Sequence, residues 1–335
     1  MEHRRSCHVG QPRYPTLCGQ RLHAPLSPHA SRHDHQRLSH RVIAAGSPSV
    51  KIVTYNVQYG LGSDLKFDLE RIAGELEGAD VMALQEVERF WTRSGNTDQL
   101  AFFTERFPDH YWAYGPGVDL HLPGSLPKDN RRRQFGNMVL SRYPISFIRN
   151  HFLPKRSSIG PLSIQRTALE TTLLIGDFPL RVYSIHLTHI SSQTRQDQVR
   201  RILQIHRDAV HEGFPLSFGS SGLNLEPDVP DRSVADQAIL LGDFNFAPDS
   251  PEYQMIVGPQ SDYGGHVISE DGFIDAWTFC GGDPMSGHTG HTLTGPTRMD
   301  YCFVSTPIRN RIASCRVDEN ANGSDHQPVW LEFDL

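Results

Sequence analysis

The sequence predicts a mixed α/β fold in which hairpins interrupt the alternation of strands and helices. Short apolar runs rich in β-branched residues recur from residue 51 to residue 333. Segments between some of these runs, such as residues 67–77, carry apolar residues at helical spacing. Two neighbouring runs are joined by the short turn Gly176-Asp177, which is typical of a hairpin and not of a βαβ unit. No repeat or linker interrupts residues 50–335, so we expect one domain there.

Each predicted element follows from its own pattern. Strands are predicted where the run is short and apolar, and helices where apolar residues are three and four positions apart. Val199, Ile202 and Leu203 form such a face in the longest helix, and Pro108 ends the helix before it. The predicted strands are residues 51–56, 81–86, 136–140, 166–175, 180–187, 239–242, 300–304 and 329–333, and the predicted helices are residues 67–77, 98–107 and 191–211. The polar segments 115–134 and 213–236, rich in Gly, Pro and Asp, are predicted to be long loops.

The first 49 residues differ from the rest of the chain. They contain seven of the eighteen His, many Ser, Pro and Arg, and no apolar periodicity, so we expect a disordered or non-native tail. Seven Arg against Glu2 and Asp34 give this segment a charge of +5, which leaves −11 for residues 50–335 in a chain of net charge −6. Because nucleic-acid binding needs a basic surface, the acidic body does not favour a nucleic-acid partner, although it does not exclude one.

The sequence also predicts the cellular compartment and the oligomeric state of the protein. Its five Cys form no CxxC pair, and no run is apolar enough for an export signal, which is typical of reduced thiols in the cytoplasm. No run approaches the roughly 18 apolar residues of a membrane span. Nothing in the sequence indicates a coiled coil, so we expect a monomer.

Polar side chains lie at one end of six of the apolar runs. In Gly242-Asp243-Phe244-Asn245, Asp243 and Asn245 are two residues apart and are predicted to share one face of a strand. The other polar ends are Asn56 and Gln58, Glu86, His186, Asp300, and the pair Asp325 and His326. Strand ends are where α/β proteins place their chemistry, and carboxylates with amides suit metal-assisted work on a phosphate.

These fragments, in this order, resemble the endonuclease/exonuclease/phosphatase superfamily over about residues 50–335. They are Asn-x-Gln, Leu-Gln-Glu, His-Leu, Gly-Asp-Phe-Asn, Arg-Met-Asp-Tyr and Ser-Asp-His-x-Pro, of which the fourth and the last are the most specific. The resemblance implies a four-layer α/β/β/α sandwich, in which helices flank two packed mixed β-sheets and a cleft lies at one end. It also implies hydrolysis of a phosphoester with a divalent metal.

The resemblance implies a metal site and substrate contacts. Glu86 is the expected main ligand of Mg²⁺, with Asn56 in the same shell and Asp325 completing it. Gln58 stands where some family members have Asp, which leaves open whether Mn²⁺ works better than Mg²⁺. Together with Gln58, the polar residues Asn137 and Arg166 are expected to contact the substrate.

The resemblance also implies catalytic roles. His326 is expected to face the scissile phosphate, and Asp300 to orient its ring and favour the imidazolium. Asp243 is expected to position or deprotonate the attacking water. Asn245 is expected to donate a hydrogen bond to the phosphoryl oxygen, and His186 to be a second phosphate-facing ring.

The superfamily does not specify the substrate, because function depends on loops carried by the fold. A phosphodiesterase acting on a small-molecule or lipid phosphoester is the first hypothesis, because the body is acidic and the sequence displays no aromatic-basic stripe. The alternative is a DNA endonuclease or repair nuclease that binds through residues 131–133, which are three consecutive Arg. A non-catalytic scaffold is the third hypothesis, and the intact set of site residues counts against it.

Overall fold

The computed structural model describes residues 49–215 and 234–335. The predicted tail up to residue 48, and residues 216–233 of the second predicted loop, lie outside the described residues. No helix within the described ranges is long and apolar enough to cross a membrane.

The described residues form strands and helices that alternate irregularly along the chain. The strands are β1 (Ser49–Asn56), β2 (Val81–Arg89), β3 (Tyr111–His121), β4 (Arg132–Ser141), β5 (Ile145–Phe152), β6 (Thr167–Ile175), β7 (Phe178–His186), β8 (Ala238–Asp243), β9 (Phe273–Asp275), β10 (Gly290–Thr292), β11 (Gly295–Thr297), β12 (Asp300–Ser305), β13 (Ile312–Val317) and β14 (Val329–Asp334). The helices are α1 (Leu69–Glu75), α2 (Gln99–Arg106), α3 (Ser192–Glu212), α4 (Pro251–Val257) and α5 (Ala276–Phe279). All eleven predicted strands and helices are therefore present, with small differences in their ends.

The strands form two mixed sheets of six strands each and a small hairpin. The first sheet has the order β13-β14-β1-β2-β4-β3, and the second has the order β5-β6-β7-β8-β12-β9. Strands β10 and β11 form the hairpin. β1 and β2 are parallel, and so are β7 and β8. The carboxyl ends of β1, β7 and β8 carry the predicted site residues Asn56, His186 and Asp243, and β2 carries Glu86 three residues before its end.

Three apolar clusters separate four layers. The central cluster lies between the sheets and includes Ile52 and Val139 of the first sheet and Leu241 of the second, all fully buried. A second cluster packs α1 and α2 on the outer face of the first sheet, and a third packs α3 and α4 on the outer face of the second. The predicted α/β/β/α sandwich is confirmed.

The segment 115–134 was predicted to be a loop, and this prediction is wrong. β3 continues to residue 121 and β4 begins at residue 132, so that only residues 122–131 connect them. Gly115 and Gly117, which indicated a loop, serve close packing instead. A Cβ at Gly117 would overlap the carbonyl oxygen of Gln165, which leads into the second sheet.

The prediction also missed elements with weak patterns. Strand β5 lies at the edge of the second sheet, and its residues are half-buried or exposed along its whole length. Strand β13 has a similar position in the first sheet. Edge strands of this kind bury no continuous apolar face, so their sequences carry little period-two signal.

Buried polar side chains connect the two sheets below the cleft. Gln85 of β2 donates to the hydroxyl of Ser184 on β7 at 3.0 Å, and this hydroxyl donates to the Leu84 carbonyl at 3.1 Å. Asn137 of β4 donates to the carbonyl oxygens of Thr167 and Ser184 at 2.9 and 3.0 Å. Because hydrogen bonds are directional, these contacts fix the position of one sheet relative to the other.

A buried charged network lies under α3. Arg181 of β7 is fully buried and lies 3.7 Å from a carboxylate oxygen of Glu170 on β6. Its Nη2 donates to Nδ1 of His206 on α3 at 2.9 Å, so the His206 ring is an acceptor at that atom and is neutral. Burial, together with the positive charge of Arg181, lowers the pKa of His206 to about 4.

We expect this neutral ring to make the fold sensitive to mild acid. The unfolded chain protonates His206 near its ordinary pKa of about 6.5, whereas the folded protein does so near about 4. Between these values the unfolded state binds more protons, so the free energy of unfolding falls as the pH is lowered, by up to about 3 kcal/mol. In His206→Asn, which keeps an acceptor for Arg181, denaturant unfolding at pH 8 and pH 5 should give a smaller loss than in the wild type. The control is His211→Asn, at an exposed His of the same helix; a loss in His206→Asn equal to that of the wild type would contradict the prediction.

Candidate active site

Three neighbouring strands of the second sheet bring three predicted residues together. His186 at the end of β7 is the register partner of Asp243 at the end of β8, and Asp243 is the partner of Asp300 on β12. Gly242 precedes Asp243 with φ of +149°, and a Cβ there would overlap the Ile185 carbonyl oxygen. Only glycine lets β8 approach β7 this closely, which accounts for the Gly-Asp pair in the sequence.

The carboxylate of Asp243 is the centre of the site. Its Oδ2 accepts hydrogen bonds from Asn56 Nδ2 and Asn245 Nδ2, each at 3.0 Å, and lies 3.2 Å from His186 Nε2. His326 Nε2 lies 3.8 Å away. Burial alone would raise the pKa of Asp243, but His186 and His326 outweigh it and hold the pKa well below its usual range. Asp243 therefore stays ionised although it is almost fully buried.

Asn245 converges on Asp243 for a different reason from the one predicted. It lies beyond the end of β8 with φ of +53°, so strand alternation does not direct its side chain. Instead its backbone N–H donates to Asp243 Oδ1 at 2.9 Å, and the left-handed conformation turns the amide back to Oδ2. The same Nδ2 donates to the Leu187 carbonyl at 3.1 Å, so both of its hydrogens are engaged.

His326 and Asp300 form a hydrogen-bonded pair. His326 Nδ1 lies 2.8 Å from Asp300 Oδ2, and the Asp300 backbone N–H donates to Thr289 Oγ1 at 3.0 Å. Burial raises the pKa of Asp300 to about 6. Burial opposes protonation of His326, but the charges of Asp300 and Asp243 outweigh it and raise the pKa of His326 well above its usual range. The shift at His326 is in the direction of a protonated ring.

Ligand atoms of Asp243, Asp300 and His326 lie within 4.8 Å of one another, a spacing that can hold a metal ion. The 2.8 Å hydrogen bond between His326 and Asp300 already uses one atom of each residue. The arrangement is therefore accounted for as a proton-holding pair beside an anionic carboxylate, without an ion.

Glu86 fits a hard cation better. It lies at a bulge of β2 with φ of +62°, its side chain is 18% exposed, and it has no hydrogen-bond donor among the residues in the described ranges. The nearest basic atom is His186 Nε2 at 3.9 Å. Burial and the charge of Glu86 raise the pKa of Asp325, whose Oδ2 accepts from Gln58 Nε2 at 2.8 Å. Two neighbouring carboxylates with so few donors suit a divalent cation held by oxygen atoms.

Arg166 lies behind the site, and the prediction that it contacts the substrate does not match its position. It is only 5% exposed. Its Nη1 donates to His186 Nδ1 at 2.9 Å and its Nη2 to His189 Nδ1 at 3.4 Å. Because Arg only donates, the His186 hydrogen is assigned to Nε2, which faces Asp243. No carboxylate oxygen of the described residues lies within 4.0 Å of Arg166.

Two other predicted substrate contacts are also held by the protein. Asn137 is 2% exposed and uses its amide hydrogens for the bonds to Thr167 and Ser184, so only its carbonyl oxygen is free for a ligand. Gln58 is half-buried and is committed to Asp325. Both residues therefore shape the cleft, and neither offers a free amide hydrogen pair in this state.

Three residues that were not predicted from the sequence support the site. His189 is exposed beside His186, and the spacing His-Leu-Thr-His could have indicated it. Ser324 donates to the Asn56 carbonyl at 2.7 Å and so ties the loop that carries His326 to the end of β1. Thr289 accepts from the backbone N–H groups of Met299 and Asp300, and nothing in its local sequence indicates this role.

The comparisons with known proteins show the family and the fold of the chain. A model of the Endonuclease/Exonuclease/phosphatase family matches residues 53–326. The fold is similar to that of an endonuclease/exonuclease/phosphatase from Beutenbergia cavernae, at 20% identity and a TM-score of 0.58, over 86% of this chain and 72% of that one. It is also similar to an endonuclease/exonuclease/phosphatase from Bacteroides vulgatus, at 15% identity and a TM-score of 0.57, over 86% of this chain and 99% of that one.

A third similar structure is truncated TDP2 from Caenorhabditis elegans, at 17% identity and a TM-score of 0.50, over 86% of this chain and 98% of that one. No curated protein sequence matches the chain. At these identities the solved structures show a shared fold only. The family model covers most of the chain and therefore shows the family. The chain belongs to the endonuclease/exonuclease/phosphatase family of metal-dependent phosphoester hydrolases.

Proposed function

We propose that the protein is a phosphodiesterase that hydrolyses its substrate by in-line attack of an activated water. The observation that carries the proposal is the convergence on Asp243 of donors from three segments, beside the carboxylate of Glu86, which lacks a hydrogen-bond donor among the described residues. In-line hydrolysis needs an oriented water, donors for the phosphoryl oxygens and a group that neutralises the leaving oxygen. The site offers a candidate for each need.

The residues at the cleft divide these tasks. Asp243 would position the water and accept a hydrogen bond from it. His186 carries its hydrogen on Nε2, which faces Asp243, and its donation to a phosphoryl oxygen requires that this contact is exchanged when substrate binds. His326, held by Asp300, would face the scissile phosphate as an imidazolium. Asn245 holds Asp243 in place, and its donation to a phosphoryl oxygen requires that one of its present bonds is exchanged when substrate binds.

A divalent metal, Mg²⁺ or Mn²⁺, would be held by Glu86, Asn56 and Asp325. It would supply positive charge to the phosphoryl and leaving oxygens. Gln58 contributes no charge to this set. Asn56 is neutral, and Glu86 and Asp325 each carry one negative charge. A set of only three protein ligands leaves room for water and substrate oxygens, as Mg²⁺ requires.

Residues 50–335 would act as one catalytic domain, as a monomer in the cytoplasm. The first candidate substrate is a small-molecule or lipid phosphoester, supported by the charge of −11 on this domain. The second candidate is a nucleic acid, for which a specific surface is described below. A non-catalytic scaffold is disfavoured because the hydrogen bonds around Asp243 are complete.

The first test is hydrolysis of bis(4-nitrophenyl) phosphate, plasmid DNA, a phosphomonoester and sphingomyelin. Each is assayed with Mg²⁺, Mn²⁺ or EDTA, using the wild type and His326→Ala. Turnover that requires metal and is lost in the variant supports the proposal. Activity that survives His326→Ala would mean that the site is assigned wrongly.

Asp243→Asn should abolish most of the activity. The variant keeps the shape of the side chain but removes the charge that orients water and both imidazoles, so kcat should fall on the order of 10³-fold. The matched control is Asp249→Asn, because Asp249 is exposed on the segment that follows. A kcat within tenfold of the wild type for Asp243→Asn would refute its role.

Glu86→Gln should weaken metal binding. A neutral amide is a poorer ligand than a carboxylate for Mg²⁺ or Mn²⁺, so the dissociation constant from calorimetric titration of Mn²⁺ should rise at least about tenfold. Glu105→Gln serves as the control, because Glu105 is exposed on α2. Unchanged Mn²⁺ affinity in Glu86→Gln would place the metal elsewhere.

Arg166→Lys should lower kcat with little change in KM. Lysine keeps the positive charge but lacks the fork that binds two rings at once, so His186 loses its fixed orientation. We expect kcat to fall about tenfold or more. The nitrogen chemical shifts of His186 should change towards a mixture of tautomers; a variant with lower activity but an unaltered His186 spectrum would assign Arg166 a different role.

A further inference from the structure

Arginine and aromatic side chains alternate along the rim of the cleft beside Glu86. This arginine–aromatic stripe consists of Tyr59, Phe90, Trp91, Arg93, Arg131 and Arg133. Its members come from the turn after β1, the segment after β2 and the start of β4. The sequence displayed no such stripe, because folding is needed to bring the three segments together.

Contacts between rings and guanidinium groups run through the stripe. The Arg93 guanidinium carbon lies 3.9 Å from the centre of the Tyr59 ring and 5.2 Å from that of Trp91. Arg133 lies 5.4 Å from the centre of the same Trp91 ring. These distances are those of cation–π contacts, so the four side chains form one continuous stack.

Hydrogen bonds hold the stack in place, and a third ring, that of Phe90, lies beside it. Trp91 Nε1 donates to the Gln134 carbonyl at 2.7 Å, and Arg133 Nε donates to the Phe90 carbonyl at 3.2 Å. Arg131 lies 5.5 Å from the centre of the Phe90 ring and is exposed. The stripe therefore presents guanidinium planes to solvent over fixed aromatic rings.

Two of the three arginines in the stripe carry positive charge that no carboxylate of the described residues neutralises. In the part of the chain that the structure describes, neither Arg131 nor Arg133 has a carboxylate oxygen within 4.0 Å. Arg93 pairs with Glu88 at 2.7 Å, but the Glu88 side chain is fully buried. Arg132 pairs with Asp119 and is not part of the stripe. This local charge is opposite in sign to the charge of −11 on residues 50–335.

The stripe begins at the expected metal ligands. Tyr59 follows Gln58, whose amide donates to Asp325 at 2.8 Å. Glu88, the partner of Arg93, is two residues beyond Glu86 on β2. A chain bound along the stripe would therefore reach the catalytic cleft.

We propose that the stripe binds a single-stranded nucleic acid segment that leads into the cleft. Its bases would stack on the rings and guanidinium planes, and Arg131 and Arg133 would neutralise its phosphates. A lipid headgroup offers a phosphate without a base to stack, and a duplex hides the faces of its bases. This inference rests on the proposed phosphodiesterase function, and it favours the second candidate substrate, a nucleic acid, over the small-molecule or lipid phosphoester.

The test is fluorescence anisotropy with wild-type protein in EDTA, where hydrolysis is prevented. The labelled probes are a thymidine dodecamer, an abasic dodecamer with the same number of phosphates, and a duplex. Vesicles of phosphatidylserine are added as a competitor. We expect the thymidine strand to bind about tenfold or more tightly than the abasic strand. Trp91→Ala should remove most of that difference.

The combined change Arg131→Ala and Arg133→Ala should weaken binding of both strands. It should also reduce the slope of log affinity against log salt concentration by about 1.4, since each lost phosphate contact accounts for about 0.7 on a single strand. The matched control is Arg200→Ala with Arg201→Ala, two exposed residues of α3, which should bind as the wild type does. Thermal unfolding midpoints within about 2 °C of the wild type verify that the stripe variants are folded.

Several outcomes would overturn the inference. They are equal affinity for the thymidine and abasic strands, affinity that survives both stripe variants, tighter binding of the duplex, and binding to vesicles but not to oligonucleotides. Metal-dependent hydrolysis of bis(4-nitrophenyl) phosphate by a protein that binds no oligonucleotide would overturn this inference alone. Stripe-dependent binding without hydrolysis of any phosphodiester would instead overturn the proposed function and support the binding surface.

Discussion

The site depends on polar contacts that cross between the two sheets. Apolar packing in the central cluster brings the sheets together, but it is non-directional and tolerates small shifts between them. The bonds from Asn56 to Asp243, from Gln85 to Ser184 and from Asn137 to Ser184 are directional and lie near the cleft. They fix the ends of β1 and β2 against the ends of β7 and β8. Without them, Glu86 and Asp243 would belong to two sheets with no fixed relation at the site.

The same end of the molecule holds unusual backbone conformations. Gln58, Tyr59, Glu86 and Asn245 all have positive φ although none is glycine. Each such residue costs about 1–3 kcal/mol, and persists only where its surroundings determine its conformation. The surroundings here include the bond from Gln99 to the Tyr59 carbonyl at 2.6 Å. These conformations direct the side chains into the cleft and onto its rim, where regular strand geometry would send alternate residues away.

Much of the fold and of the inner site could be predicted because both depend on local sequence. A buried strand that ends in Gly-Asp, or that carries Leu-Gln-Glu, displays its burial pattern and its polar residues in fewer than ten residues. The role of Asp243 as the centre of the donors could not be predicted, since its partners come from β1, β7 and the loop before β14. Arg166 was assigned to the substrate because the sequence does not reveal that two imidazoles occupy its guanidinium.

The absence of an aromatic-basic stripe was inferred from neighbours in the chain, whereas the stripe is formed by neighbours in space. Net charge is likewise a property of the whole domain and does not describe the charge at one place on its surface. At physiological ionic strength, charges are screened beyond about 8 Å, so a ligand on the rim responds to the few groups close to it and little to the mean charge of the domain. Arg131 and Arg133 have no carboxylate partner among the described residues. The wider acidic surface would disfavour a long duplex that spreads over the protein, but it would not oppose a short single strand confined to the stripe.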